Sequence, residues 1–173
     1  TAHALRPHIR AKTDEVIRAV VDGGGIMGIT NVPAFLGGSG DIAAMLDHID
    51  YVARTFGVDA VAIGTDAGYR AQGAADAEAR MQPLPPRRPP MAGLWPADDP
   101  IKQPRWKEPR MHQSLCWTNW PLFTVGLVQR GYRDADIQKI IGGNVLRVAR
   151  AAWSASGLCP PPPPSGDGPN NNS

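Results

Sequence analysis

The sequence predicts an α/β fold with parallel strands. Three observations lead to this prediction: helices and strands alternate with short connections, each strand is a short apolar run, and the clearest helix carries a single apolar stripe. Two strands alone cannot form a stable sheet that is covered on both faces. We therefore expect the rest of the sheet to come from residues outside this sequence.

The first half of the chain contains these elements in order. Apolar residues recur at helical spacing over 13–22, where Thr13 can cap the start, and glycines follow the end. Residues 26–29 form an apolar run that suits a buried strand. The clearest helix runs from 41 to 56, with one apolar stripe and His48 on its polar face. Residues 60–63 predict a second buried strand, which ends in Gly64-Thr65-Asp66.

The second half is less regular. Residues 67–112 are rich in proline, which predicts a long irregular excursion of the chain. The isolated tryptophans in this excursion are expected to pack part of it against the fold. Helices are predicted over 119–130, 134–141 and 144–153, with Asn144 capping the last. Residues 154–173 combine polyproline with Gly and Asn and predict a disordered tail. The folded part is thus expected over 1–153.

Composition excludes several classes of protein. The 173 residues are 42% hydrophobic and 20% charged with a net charge of +2, so no nucleic-acid partner is expected. No apolar run is long enough for a transmembrane helix. The two cysteines do not suit a disulfide framework or a structural zinc site. A start at Thr1 without Met leads us to expect a processed chain or a fragment, and the compartment is left open.

Residues 4–29, 46–66 and 118–148 carry motifs that together resemble the renal (membrane) dipeptidase family. Residues 4–29, ALRPHIRAKTDEVIRAVVDGGGIMGI, are similar to the family's stretch from a His-Pro-Arg-Asn element through a helix and a Gly-Gly pair to a strand. Residues 46–66 are similar to its His-Ile helix and its last barrel strand, which ends in Gly-x-Asp. Residues 118–148 resemble its C-terminal block, with Arg-Gly-Tyr and Gly-Gly-Asn-x-x-Arg.

The resemblance implies a fold and a reaction. The fold would be the C-terminal portion of a TIM (β/α)8 barrel, whose chemistry lies where the strands end. The reaction would be hydrolysis of a dipeptide at two zinc ions, which activate a bridging water and polarise the carbonyl. The family's ligands, a His-x-Asp, a Glu and two later histidines, would all lie outside this sequence. A homodimer is retained as a candidate assembly.

Two residues are the candidates for the site. The resemblance implies that Asp66 accepts a hydrogen bond from the bridging water or the substrate amine and shuttles a proton; the alternative is an Asp that caps a turn. It also implies that Arg10, in the element His8-Ile9-Arg10-Ala11, binds the substrate carboxylate through its guanidinium fork; the alternative is a surface arginine. Val32 stands in place of the family's strand-end aromatic residue.

Other residues are assigned to structure. His8 is expected to pack a loop, His48 to be solvated or packed on its helix, and His3 to stay away from metal. Asn144 is expected to cap the last helix, and Arg147 is expected to tie that helix to its neighbours. The predicted function is a zinc-dependent dipeptidase that is inactive as this fragment alone. The alternative is a truncated form or pseudoenzyme that binds without catalysis. Another metal-dependent hydrolase on the same barrel is a third, less favoured interpretation.

Overall fold

The computed structural model describes residues 1–66, 73–81, 93 and 95–156. Within these ranges it is a helix-rich α/β structure with a small parallel sheet. The strands are β1 (Met27–Ile29) and β2 (Val61–Ile63). The helices are α1 (Asp14–Asp22), α2 (Pro33–Leu36), α3 (Ile42–Phe56), α4 (Ala74–Ala79), α5 (Pro109–Ser114), α6 (Trp120–Gln129), α7 (Asp134–Gln138) and α8 (Asn144–Ser156).

The strand pair confirms the central sequence prediction. β1 and β2 run parallel, with Met27 opposite Val61 and Ile29 opposite Ile63. The helix that connects them is α3, which buries an apolar stripe that includes Met45, Ile49 and Val52. Its N-cap is Asp41, whose carboxylate accepts hydrogen bonds from two amides of the first turn. The (β/α)8 barrel itself remains a prediction, because the described residues form two strands.

The C-terminal helices pack on α3 and on the strands. Pro121 lies in the first turn of α6, as predicted, and a side chain at Gly126 would collide with Leu46 of α3. The chain then passes through α7 and a π turn at Lys139–Gly143, which Gly142 interrupts. Ile140 in this turn is fully buried. The core is thus shared between residues from both halves of the chain.

Asn144 and Arg147 both tie α8 to the strand region, a role that was predicted for Arg147 and not for Asn144. Asn144 has helical backbone angles and is 1% exposed. Its amide donates to the carbonyls of Val58 and Val61, both at 2.8 Å, so the prediction of an N-cap is wrong. Arg147 donates to the carbonyls of Gly24 and Asp59, at 2.8 and 2.9 Å. These bonds fasten the amino ends of both strands.

The described parts of the predicted excursion contain local structure. Two 3-10 turns, Pro100–Lys102 and Pro104–Lys107, lead into α5. Trp106 is 4% exposed and donates its indole N–H to the Pro100 carbonyl at 2.7 Å, which confirms that a tryptophan packs here. Residues 67–72, 82–92 and 94 lie outside the described residues. So do residues 157–173 of the predicted tail, and α8 continues to Ser156.

Candidate functional site

The site is built where β1 and β2 end. Beyond the strands the pairing continues, because the amide of Gly64 donates to Ile29 at 2.8 Å and that of Asn31 donates to Thr65 at 3.1 Å. These bonds hold the segments after the two strands side by side. Asp66, which follows β2, is thereby fixed beside the segment that follows β1.

Asp66 has an unusual backbone conformation. Its φ angle is 54°, and no other non-glycine residue among those described has a positive φ. Asp tolerates this left-handed region better than most residues, because its short side chain can bond locally. The turn leaves the side chain exposed, and the residue lines two adjacent cavities. The carboxylate therefore stands at the boundary between them.

The larger cavity brings the two predicted site residues together. It has a volume of about 370 Å³, and Arg10 and Asp66 both line it. The Arg10 guanidinium lies over the Phe35 ring, 4.9 Å from its centroid. Lys12 is a second cation on the same wall, and Thr30 lies on another wall. A cavity of this size is in the range of small-molecule sites.

The charges around this cavity differ from those elsewhere on the surface. Within the described ranges, the side chains of Arg10, Lys12 and Asp66 form no ion pair or hydrogen bond, with each other or with any other residue. Five acidic residues elsewhere form ion pairs within 3.0 Å: Asp47 with Arg130, Asp50 with Arg54, Asp59 with Lys139, Glu108 with Arg110 and Asp136 with Arg133. Three charges around one cavity are thus left available for a ligand.

A buried histidine holds the segment that carries the two cations. His48 lies on α3 but is 1% exposed, so the prediction that it occupies the polar face is wrong. Its Nε2 bonds to the Leu36 carbonyl at 2.9 Å, and its Nδ1 accepts from the amide of Ala2 at 3.2 Å. These partners require a neutral ring with the proton on Nε2. Burial lowers the pKa of His48, which favours that neutral form.

A second histidine orders the loop before Arg10. His8 Nδ1 accepts a hydrogen bond from the Arg10 amide at 3.1 Å, and Nε2 lies 3.2 Å from a carboxylate oxygen of Asp99. The ring packs edge-on against Trp95, with centroids 5.4 Å apart. The predicted loop-packing role of His8 is confirmed. A backbone hydrogen bond from Ile101, helped by His8, lowers the pKa of Asp99.

The second cavity is more apolar. It measures about 270 Å³ and is lined by Asp66 together with Asn31, Val32, Pro33, His112, Leu115 and Cys116. The amide of Asn31 donates to the Leu115 carbonyl at 3.3 Å, which fixes one wall to the end of α5. A hydrogen bond with the Thr118 side chain lowers the pKa of the Cys116 thiol. Val32 thus lines a cavity beside Asp66, at the position where the resemblance implies an aromatic residue.

The described residues do not fit a zinc site. In the ranges that the structure covers, no three His, Cys, Asp or Glu side chains come close enough to hold a metal ion. Both nitrogens of His48 and of His8 are engaged, and His112 Nε2 lies 3.0 Å from the Trp106 carbonyl. The arrangement can bind a charged small molecule and exchange a proton at Asp66.

Lys12 and Thr30 are cavity residues that sequence reasoning missed. Thr30 lies between β1 and Asn31, and its hydroxyl oxygen is buried and finds no hydrogen-bond partner among the described residues. A signal for Lys12 was present: it is a cation two positions after Arg10, with the apolar Ala11 between them.

The family match covers the residues that line the larger cavity and part of the lining of the second. Residues 1–79 match the family model for membrane dipeptidase (peptidase family M19). A relative in Klebsiella pneumoniae, "Uncharacterized protein in pqqA 5'region", is 39% identical over 71 residues. That match covers 38% of this chain and 26% of the relative, so the matched part is about a quarter of that protein. Residues 118–148 lie outside the family match.

No helix in the described ranges combines the length and the apolar character that crossing a bilayer requires.

Proposed function

We propose that this chain supplies the substrate-binding part of a metal-dependent dipeptidase, because residues 1–79 match the family model for membrane dipeptidase. One observation carries the proposal: Arg10 and Asp66 line the same cavity at the carboxyl ends of the strands without pairing with each other. A dipeptide has one carboxylate and one ammonium group, which these two side chains complement. The proposed partner in assembly is a second copy of the protein.

Each residue has a defined role in this proposal. The Arg10 guanidinium binds the free carboxylate of the dipeptide, and its stacking on Phe35 limits the orientations of the fork. Asp66 accepts a hydrogen bond from the substrate amine, takes the proton that the attacking water releases, and passes it to the leaving nitrogen as the C–N bond breaks. The described residues do not fit zinc. The two zinc ions of the proposed enzyme would therefore be held by residues outside those described.

A non-catalytic protein is the second candidate. The absence of a three-ligand cluster from the described residues favours it, because binding alone needs only the cavity and its charges. The two candidates share dipeptide binding and differ in turnover. A measurement of dipeptide hydrolysis therefore distinguishes the two candidates, whereas a measurement of dipeptide binding tests the property that both require.

Binding of alanyl-alanine to the purified 173-residue chain, measured by NMR titration, tests the shared part. We expect saturable binding that Arg10→Met weakens about tenfold or more, because a charge-assisted hydrogen bond is lost. Arg18→Met is the matched control, since Arg18 also stacks on an aromatic ring, Phe56, at 4.6 Å but lies away from the cavity. Absence of binding, or equal weakening by both variants, would contradict the proposal.

Hydrolysis is measured in the same samples with zinc added. The chain alone is expected to show no turnover, because its described residues offer no metal site. Supplying a segment that carries the family's His-x-Asp, Glu and two histidines should then produce turnover that Asp66→Asn abolishes. Binding without turnover in the presence of a zinc-loaded segment would favour the non-catalytic candidate.

A further inference from the structure

We propose that the larger cavity selects dipeptides whose C-terminal residue has an acidic side chain, and that Lys12 is the residue that recognises this side chain. The inference rests on the proposed function, because it uses Arg10 and Asp66 as the groups that fix the two ends of the dipeptide. It adds a third contact, which Arg10 and Asp66 do not provide.

The argument begins with the charges of the cavity. Its charged side chains are Arg10, Lys12 and Asp66, and the α-amino group of Thr1 also lines it, so the cations outnumber the one carboxylate. A neutral dipeptide zwitterion uses Arg10 and Asp66 and leaves Lys12 uncompensated. A dipeptide with one acidic side chain carries one further negative charge and pairs with all three groups. Charge complementarity therefore favours the acidic ligand.

The backbone fixes the two cations on the same side. Ala11, between them, is 8% exposed and faces the interior, whereas Arg10 and Lys12 are exposed. At Lys12 the chain pairs with the segment around Ala2: the Lys12 amide donates to the Thr1 carbonyl at 2.9 Å, and the His3 amide donates to the Lys12 carbonyl at 2.8 Å. Both cations therefore line the cavity on a segment whose backbone is anchored at Lys12.

The position of Asp66 gives the direction in which the dipeptide lies. Since its carboxylate stands between the two cavities, an ammonium group bound there places the N-terminal residue next to the apolar cavity of Val32, Pro33 and Leu115. The C-terminal residue then lies in the larger cavity with the two cations. The acidic side chain is consequently assigned to the C-terminal residue.

The test compares alanyl-aspartate with alanyl-asparagine, which differ in one charge at nearly equal size. NMR titration of the 173-residue chain should give about fivefold tighter binding of alanyl-aspartate, the scale of one exposed ion pair. Lys12→Met should remove this preference while alanyl-asparagine still binds, and Lys12→Arg should keep it. Lys107→Met, an exposed lysine outside the cavity, is the control and should not change the preference.

The outcomes separate the inference from the proposed function. Equal affinity of the wild-type chain for both dipeptides, with binding that still depends on Arg10, would overturn the role of Lys12 alone. Persistence of the preference in Lys12→Met would also overturn it. Failure of both dipeptides to bind would overturn the proposed function together with the inference. Loss of the preference in Lys12→Met but not in Lys107→Met supports the inference.

Discussion

The two ends of the strand pair use their polar groups in opposite ways. At the amino ends, Asn144 and Arg147 donate to four backbone carbonyls, and Asp59 pairs with Lys139 at 3.0 Å. At the carboxyl ends, Asp66 and the cations that share its cavity form no ion pair within the described ranges. Satisfied groups stabilise a fold, whereas unpaired charges around a cavity are available to a ligand. Under the proposed function, the difference distinguishes a structural end from a binding end, and barrel folds place their sites at the same carboxyl end.

Removing the Asn144 amide should have the largest effect on stability. Asn144→Ala leaves the buried carbonyls around Val58 and Val61 without their donor, which costs about 3 kcal/mol in total. The free energy of unfolding from urea titration measures this. Asn119→Ala is the matched control, since its amide also donates to two carbonyls but in a more exposed place. Equal effects of the two variants would contradict the assignment of the amino end as the structural end.

A pH titration of stability examines His48, whose hydrogen bond with Ala2 anchors the segment that leads to Arg10 and Lys12. Because burial lowers its pKa in the folded state, the unfolded chain binds the proton more readily. Stability is therefore full above the unfolded pKa of about 6.5, falls as the pH drops below it, and levels off below the folded pKa. The slope from this one group reaches at most about 1.4 kcal/mol per pH unit.

His48→Gln is the variant that isolates this contribution. Gln can still donate to the Leu36 carbonyl but does not titrate, so the difference in unfolding free energy between wild type and variant should narrow as the pH falls from 7 to 5. Thermal or urea unfolding across this range measures it. A difference that stays constant with pH would show that His48 does not couple protonation to folding.

Periodicity made most of the helices and both strands predictable. The apolar stripe of α3 and the short apolar runs at β1 and β2 identify elements that pack locally, and their observed ends lie within about one residue of the predicted ones. His48 was placed on the wrong face because its partners are the backbones of Ala2 and Leu36, whose approach no local pattern encodes. Asn144 was predicted to cap its own helix for the same reason, since its observed partners, the carbonyls of Val58 and Val61, are distant in the chain.

The site was predictable only in part. Asp66 and Arg10 were found because they stand in motifs that resemble a family, and the structure places both on one cavity. Their roles stay predictions. Lys12, Thr30 and the second cavity were missed, since residues far apart in the chain build these walls. The turns at 100–107 were missed because short 3-10 segments have no periodic signature.

The sharpest comparison of the two ends replaces one aspartate at each of them. These two substitutions are also expected to have the smallest effects on stability. Asp66→Asn keeps a residue type that tolerates a φ of 54° and breaks no observed contact, so the free energy of unfolding should change by less than about 0.5 kcal/mol. Asp59→Asn removes an exposed ion pair with Lys139 and should cost up to about 1 kcal/mol. Alanyl-alanine binding should show the reverse order: weakened by Asp66→Asn and unchanged by Asp59→Asn. If both variants bind the dipeptide equally well, the carboxylate at the carboxyl end is a turn residue and not part of the site.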